Sequence, residues 1–254
     1  MKIKYNVIIL LLAVLSFQSC ADEYDYLNSV KPVEGSAKLK IIHAAPDTSG
    51  IVIKIDNQLI SGVNTVLSTT VLIPAVVTFG SFFPLSEYFT VATESKKMTV
   101  GFATSDPKVT VDFTSDINLA ANKFYSAYIV GTKPTYSVIY GEDDLTAFDP
   151  SKTHIRFVNA VSNTPAEGYE ILVNTVVTDT KAKITNGIDA FIPFDQDGTK
   201  RFTIVVRQKG TTVALSTLTN LNFLRGKKYT VLIRGVHGSA ITAQRVTAQN
   251  YTNN

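Results

Sequence analysis

The chain has 254 residues, of which 45% are hydrophobic, 10% aromatic and 18% charged, a composition typical of a folded protein with a real core. Its net charge of +3, from 24 basic and 21 acidic residues without a basic tract, gives no reason to expect nucleic acid as a partner. A single cysteine excludes a disulfide scaffold within the chain, and the length predicts one or two domains.

The N-terminus predicts a signal peptide over residues 1–19. Two lysines precede an apolar run, Val7–Phe17, which is much shorter than the roughly 20 residues that a membrane-spanning helix needs. Cys20 follows directly, so the segment resembles a bacterial lipoprotein box, which implies that Cys20 is acylated and anchors the protein in a membrane. An ordinary signal peptide with an incidental cysteine is the alternative.

Residues 20–36 have no periodic apolar pattern and predict the acylated cysteine followed by a solvated tether. The segment Ala21–Tyr26 places acidic residues directly after Cys20, which resembles the surface-export signal of lipoproteins in Bacteroidetes-type bacteria. That resemblance implies an outer-membrane lipoprotein on the cell surface. The alternatives are a tether kept soluble by its charge, and a location on the periplasmic face.

Beyond the tether, five sequence blocks recur in the same order. They are Lys40–Asp47 with Arg156–Asn163, Ile53–Asn57 with Ile171–Thr175, Phe83–Leu85 with Ile192–Phe194, Phe89–Val91 with Phe202–Ile204, and Lys123–Gly131 with Lys227–Gly235. The repeat predicts two tandem domains of one design, over residues 37–148 and 149–254.

Each copy consists of short runs rich in Val, Ile, Thr, Tyr and Phe, bounded by Gly, Pro, Asn and Asp. This pattern predicts half-buried strands of antiparallel sheets, and no window of a dozen residues has convincing helical periodicity. About seven or eight short strands per copy are typical of a β-sandwich. The predicted fold class is therefore all-β, with two tandem immunoglobulin-like antiparallel β-sandwiches.

A tyrosine occupies the same place in both copies. Tyr125 comes three residues after Asn122, and Tyr229 three residues after Gly226, and Asn and Gly are the residues that best accept a turn with positive φ. The arrangement resembles the tyrosine corner of immunoglobulin-like domains, in which a buried ring bonds nearby backbone through its hydroxyl. An ordinary core tyrosine after a hairpin is the alternative.

The segment His43-Ala44-Ala45-Pro46-Asp47 follows an apolar strand. It resembles the His-Ala-Ser-Pro-Asp motif of the bacterial domain-of-unknown-function 4397 family, with Ala45 in place of Ser. Ala121–Gly131 resembles that family's Gly-Lys-Tyr-Tyr strand, and Glu142–Asp144 resembles its acidic closing segment. The resemblance implies a secreted, tandem, immunoglobulin-like fold with no established activity.

His43 and Asp47 could form an acid–base pair, because four residues across a turn allow an imidazole to meet a carboxylate. The second, degenerate copy has Asn159 and Asn163 at these positions, which keeps hydrogen bonding and discards proton transfer. We therefore predict that His43, Pro46 and Asp47 are structural, and that the protein is not an enzyme. A hydrolase using His43 and Asp47 is the less favoured alternative.

We predict no metal and no cofactor. His154 and His237 occupy unmatched positions in the repeat. The segment Asp195–Gly198 is similar to the start of a calcium loop but lacks the later ligands, so a hairpin turn built on Asp-Gly is favoured over calcium. The acidic segment Glu142–Asp144 is interpreted as a solvated linker.

Five aromatic residues fall between positions 79 and 89, which breaks strand alternation. Two of them, Phe83 and Phe89, match apolar residues of the second copy and are predicted to be core. The other three, Phe79, Phe82 and Tyr88, are candidates for contact with a ligand, since exposed aromatic residues commonly mark sugar or protein contacts. A core role for them is the alternative.

Together these features predict a lipid-anchored cell-envelope protein that acts in binding, adhesion or scaffolding without catalysis. Its expected partners are the membrane, through Cys20, and a glycan or an envelope protein. An accessory glycan-binding surface lipoprotein is the main alternative.

Overall fold

The computed structural model describes residues 35–48, 50–66, 71–102, 110–146, 148–174, 176–178 and 187–253. The predicted signal peptide, Cys20 and nearly all of the predicted tether lie outside the described residues. Within them, the regular structure is β-strand apart from one short 3-10 turn, Thr242–Gln244. None of the helical structure described is long and apolar enough to cross a bilayer.

The first half forms two sheets and a two-stranded ribbon. The strands are β1 Ser36–His43, β2 Gly50–Ile55, β3 Gln58–Leu59, β4 Val63–Val66, β5 Val71–Pro74, β6 Val77–Thr78, β7 Phe82–Phe83, β8 Phe89–Ala92, β9 Glu94–Phe102, β10 Thr110–Leu119, β11 Phe124–Thr132 and β12 Thr135–Glu142. Sheet I has the order β12-β11-β1-β7, with β8 also paired to β1. Sheet II has the order β10-β9-β2-β3, with β6 also paired to β2, and β4 and β5 form the ribbon.

The second half forms two four-stranded sheets. Its strands are β13 Lys152–Ser162, β14 Tyr169–Val173, β15 Val176–Thr178, β16 Ile192–Asp195, β17 Phe202–Gln208, β18 Ala214–Leu221, β19 Lys228–Val236 and β20 Thr247–Thr252. Sheet III has the order β16-β13-β19-β20, and sheet IV has the order β15-β14-β17-β18. The all-β prediction is confirmed.

Strand pairing is antiparallel except in the middle of sheets I and III. There β1 runs parallel to β11, and β13 runs parallel to β19. Neighbouring strands that run parallel need a long connection in the chain. In both halves, most of the other strands of the two sheets come between the two parallel strands in the sequence. The first strand of each half is thereby placed at the centre of its sheet.

Each pair of sheets encloses an apolar core. Sheets I and II share a cluster that includes Leu39, Ile53 and Val100, and sheets III and IV share one that includes Phe157 and Phe202. The two predicted core residues of the aromatic segment, Phe83 and Phe89, pack against the first cluster. Two sandwiches therefore lie in one compact unit, Gly35–Asn254.

A third apolar cluster joins the two sandwiches. It contains Ile42 and Tyr128 from sheet I, and Val158 and Leu232 from sheet III. Alternate residues of a strand point to opposite faces, so these side chains leave the cores and face the other sandwich. The central strands of sheets I and III are thus buried on both faces. This differs from the half-buried strands expected from sequence, because these strands have a second layer against them.

Three of the five predicted block pairs occupy matching places in the two sandwiches. Asp56 and Asn174 end β2 and β14 with φ of 48° and 50°. The Asp56 Oδ1 accepts a hydrogen bond from the Lys97 amide at 3.0 Å, and the Asn174 Oδ1 accepts one from the Thr203 amide at 2.8 Å. The same bond from a side chain to the backbone of the neighbouring strand therefore follows β2 and β14.

The other two block pairs are wrong. Strand pairing joins Leu39 to Phe89 and Ile155 to Ile192, so Ile192 corresponds to Phe89 and not to Phe83. Phe202 lies in β17 of sheet IV, whereas Phe89 lies in β8 of sheet I. Loops of unequal length separate these blocks, and short apolar triplets match each other too easily to fix the correspondence.

Both predicted corner tyrosines are buried and bond upstream backbone. The Tyr125 hydroxyl accepts a hydrogen bond from the Ala120 amide at 3.1 Å, and the Tyr229 hydroxyl accepts one from the Leu224 amide at 3.0 Å. The turn residues Asn122 and Gly226 have φ of 60° and 64°. This is the geometry of a tyrosine corner, present in each sandwich.

We predict that Tyr125→Phe lowers the free energy of unfolding by about 1 kcal/mol, because the Ala120 amide loses a partly buried acceptor. Urea denaturation of the purified protein measures the change. Tyr140→Phe is the matched control, since the Tyr140 hydroxyl accepts from the Asn118 amide in an exposed position, where water can replace it. Equal losses in the two variants would contradict a specific role for the corner.

Candidate functional site

The most strongly charged buried place among the described residues is the interface between sheets I and III. Arg156 on β13 and Asp143, just after β12, form an ion pair with 2.5 Å between Nη2 and Oδ1. Their side chains are 1% and 0% exposed. Two ions removed from water remain stable only when each has a close partner and further hydrogen bonds.

Those further bonds come from both sandwiches. The Asp143 Oδ2 accepts hydrogen bonds from the Ser126 hydroxyl at 2.6 Å and the Tyr88 hydroxyl at 2.5 Å. Arg156 donates from Nε to the Thr230 hydroxyl at 2.8 Å. The pair and its partners therefore lie on three strands and two connecting segments, and link one sandwich to the other.

Two tyrosines extend this network. The hydroxyls of Tyr128, in sheet I, and Tyr251, in sheet III, lie 2.7 Å apart. Burial is the main cause that raises the pKa of both phenols, so both stay neutral. The side-chain amide of Asn253 donates from Nδ2 to the Tyr88 hydroxyl at 3.1 Å.

Sequence reasoning missed this centre, because Glu142–Asp144 was interpreted as a solvated linker. That interpretation is wrong for Asp143, which is 1% exposed. The available signal was a cation inside each apolar strand, Lys40 in β1 and Arg156 in β13, since a buried cation requires an anionic or aromatic neighbour.

Lys40 lies in the same interface and is only 2% exposed. Its ammonium donates to the Ser86 carbonyl oxygen at 3.1 Å and lies 4.7 Å from the centre of the Tyr88 ring. Burial lowers the pKa of Lys40, while the nearby carboxylates of Asp143 and Glu87 oppose that shift. Lys40 lines a cleft of about 350 Å³.

The cleft lies where the two sandwiches meet. It is lined by Lys40, Phe82, Leu85, Ser86, Glu87, Tyr251, Thr252 and Asn253. One wall therefore comes from the connection between β7 and β8, and the other from the end of β20. The arrangement combines a buried cation, aromatic rings and polar side chains, and it can accept a small anionic or polar ligand.

His43 is completely buried and both of its ring nitrogens are engaged. Nδ1 donates to the Val77 carbonyl oxygen at 2.9 Å, and Nε2 lies 2.6 Å from the Thr48 hydroxyl, which can donate to it. Burial is the main cause that lowers the pKa of His43 to about 4, so the neutral ring predominates at pH 7. Asn159 bonds Thr164 through its amide at 3.2 Å, in the matching place of the other sandwich.

Asp47 is exposed, and its hydrogen-bond partners differ from those of His43. Its Oδ2 accepts hydrogen bonds from the Lys133 amide at 2.7 Å and from the Tyr136 hydroxyl at 3.0 Å. Asp47 thus ties the turn after β1 to the β11–β12 hairpin. Pro46 is buried between these two residues.

The three aromatic candidates all have protein partners. The guanidinium of Arg234 lies 4.1 Å from the centre of the Phe79 ring. Phe82 packs on Tyr251 with 4.9 Å between ring centres, and Tyr88 donates to Asp143. All three are partly buried along the junction of the sandwiches, and Phe82 is the one that lines the cleft.

The remaining candidates lie apart from this centre. The Asp197 Oδ1 accepts hydrogen bonds from the amides of Thr199 and Lys200, both at 2.7 Å, so this oxygen is used within its own turn. That turn connects β16 of sheet III to β17 of sheet IV, so the predicted hairpin is wrong. No group of three or more potential metal ligands occurs among the described residues.

The family model of DUF4397, "Domain of unknown function", matches residues 37–167, slightly more than half of the chain. The chain therefore belongs to this family. The match extends past residue 148, where we expected the first domain to end, and includes β13. No curated protein matches the chain.

Two solved structures with the description "putative cell adhesion protein" resemble the chain. One, from Parabacteroides distasonis, has 9% sequence identity and a TM-score of 0.22, with 87% of this chain and 100% of that chain covered. The other, from Bacteroides fragilis, has 12% identity and a TM-score of 0.18, with 85% and 98% covered.

We predict that Arg156→Met lowers the free energy of unfolding by about 3–5 kcal/mol, because it leaves the Asp143 carboxylate buried and unpaired. Adding Asp143→Asn to that variant should recover part of the loss. A double-mutant cycle by chemical denaturation measures the coupling. Glu142→Gln is the control: it breaks an ion pair whose side chains are 46% and 41% exposed, and it should leave stability unchanged. Additive effects of the two interface substitutions would argue against coupling.

We predict that His43 makes the protein less stable as pH falls from 6.5 toward 4. Over this range the unfolded chain protonates His43 while the folded protein does not, so protons favour unfolding, by up to about 3 kcal/mol. His43→Asn should fold and flatten this part of the stability–pH profile. Parallel urea denaturations at pH 7.5, 6, 5 and 4, on both proteins, test this. Identical profiles would overturn the assignment.

Proposed function

We propose that this protein is a lipid-anchored component of the cell envelope that binds or adheres through its surface, or serves as a scaffold, without catalysis. The observation that carries the proposal is the buried Arg156–Asp143 pair between two sandwiches. Domains of one chain usually move relative to each other unless the interface is large and apolar. Here an apolar cluster and a buried ion pair hold the two sandwiches in one orientation, as suits a surface that must be presented rigidly on a tether.

We also propose that the second sandwich is a tandem copy of the family domain. Matched bonds support this: the Asn122 amide donates to the Ser36 carbonyl at 2.8 Å, and the Gly226 amide donates to the Lys152 carbonyl at 2.8 Å. The corner tyrosines add a second matched feature. A tandem pair presents more surface than one domain at the end of one anchor.

Membrane attachment is supported by the sequence alone, through Cys20 after the apolar run Val7–Phe17. Two or more acyl chains give durable anchorage, because each buried methylene contributes about 0.8 kcal/mol. The acidic residues after Cys20 favour the outer face of the outer membrane. Catalysis by His43 and Asp47 is disfavoured because both ring nitrogens of His43 bond groups other than Asp47.

Glycan binding is a second candidate for the binding role. The observation that favours it is the cleft beside Lys40, where the rings of Phe82 and Tyr251 accompany a buried cation. Aromatic rings stack on the apolar faces of sugars, and few polar groups are then needed to orient the ligand.

We predict that Cys20→Ser abolishes envelope attachment and adhesion together. In a Bacteroidetes host, the wild-type protein should incorporate an alkyne fatty acid, partition into detergent and be removed from intact cells by added protease. Cells should adhere to immobilised mucin or envelope polysaccharide only when the anchored protein is present. Ser19→Ala, which keeps the thiol, is the matched control. Adhesion that persists without the anchor, or anchored protein that supports no adhesion to any of these surfaces, would contradict the proposal.

A further inference from the structure

Lys40 and Arg156 occupy the same place in the two sandwiches but have different surroundings. Each lies over an aromatic ring of its own sandwich: Lys40 is 4.7 Å from the Tyr88 ring centre, and Arg156 is 4.8 Å from the Phe191 ring centre. Arg156 also has a carboxylate, Asp143, at 2.5 Å. The next question is therefore which residue lies beside Lys40 at the position that matches Asp143.

The residue that corresponds to Asp143 in the second sandwich is Asn253. The Asp143 amide donates to the Phe124 carbonyl at 2.7 Å, and the Asn253 amide donates to the Lys228 carbonyl at 2.8 Å, at matching ends of β12 and β20. Asn253 lines the cleft together with Lys40. Where Arg156 meets a carboxylate, the matching position beside Lys40 holds a neutral residue, and Lys40 lines an open cleft.

We propose that this cleft binds a sugar carboxylate, a hexuronic acid residue of a polysaccharide, with the carboxylate paired to Lys40. This inference rests on the glycan-binding form of the proposed function. The ammonium bonds one carbonyl oxygen, that of Ser86, and its other protons face rings and the cleft. An ammonium so desolvated gains strongly from an anionic partner, as Arg156 does from Asp143.

The walls favour a sugar ring over a bare anion. The rings of Phe82 and Tyr251 pack at 4.9 Å with 53° between their planes, and Leu85, at the rim, is 81% exposed. These groups give an apolar surface for a pyranose face, and Ser86 and Thr252 add hydroxyls. A volume of about 350 Å³ lies at the lower end of the range for small-ligand sites.

Charge limits the cleft to one carboxylate, that of a single uronate residue of a longer chain. Glu87 lines the cleft and attracts Lys40, so it repels any anion that enters. Asp143 acts on Lys40 in the same sense, and Arg156 in the opposite sense. A monoanionic uronate is tolerated by this balance, whereas a sulfated or phosphorylated ligand would meet stronger repulsion.

The test is isothermal titration calorimetry of the full chain in detergent with a galacturonate trimer. The neutral galactose trimer and an acetylated glutamate peptide are the comparison ligands. Binding of the uronate alone supports the proposal. Equal binding of the neutral trimer would overturn the role of the carboxylate, binding of the peptide in preference would overturn the sugar, and no binding would overturn the site.

Three variants locate the site. Lys40→Met should weaken uronate binding about tenfold or more, and Glu87→Gln should tighten it. Asn253→Asp adds a carboxylate to the cleft wall, close to Asp143, and should weaken binding of an anion by repulsion. Lys123→Met, which removes an exposed lysine from the surface pair with Glu142, is the control and should change nothing. Thermal melts establish that each variant is folded, and unchanged binding in Lys40→Met and Asn253→Asp would sink the proposal.

The uronate site and the adhesion role can fail independently of each other. If Lys40→Met cells keep adhering to the immobilised surfaces and no uronate binds, the cleft assignment is wrong while the adhesion role stands. If the wild-type protein binds the uronate but anchored cells fail to adhere, the adhesion role is wrong and the cleft stands.

Discussion

The ion pair between Asp143 and Arg156 is the constraint on which the arrangement of the two sandwiches depends. Neither group could be buried alone, because an unpaired ion in an apolar interface costs several kcal/mol. Each sandwich contributes one of the two charges. Separating the two sandwiches would therefore break the ion pair and leave each charge without its partner. The apolar contacts around the ion pair contribute buried surface, and the ion pair fixes the orientation of one sandwich relative to the other.

This constraint explains the unusual sheets at the centre of the molecule. β1 and β13 must satisfy an apolar core on one face and the opposite sandwich on the other. The central strands therefore alternate between two kinds of buried environment instead of between core and water. A charged residue in such a strand, such as Lys40, needs hydrogen-bond or charged partners from the interface, because water cannot reach it.

Several positions of the two sandwiches match in backbone bonding but carry side chains of different chemistry. His43 and Asn159 both bond a hydroxyl five residues later, Thr48 and Thr164, although only one of them can titrate. Asp143 and Asn253 end matching strands, although only one is charged. The matching positions share hydrogen-bonding ability but differ in charge: Arg156 is paired with Asp143, whereas Lys40 lines a cleft.

The sequence by itself determined the all-β class, the tyrosine corners, the match between Ile53–Asn57 and Ile171–Thr175, and the family motif around His43, since these depend on local spacing and on φ preferences. Only the tertiary structure decided that Asp143 is buried, that Phe82 and Tyr88 lie at a junction, and which strands correspond between the halves. Those outcomes depend on which faces of two sheets meet, and the strand period of two is the same whether the outer face meets water or another sheet.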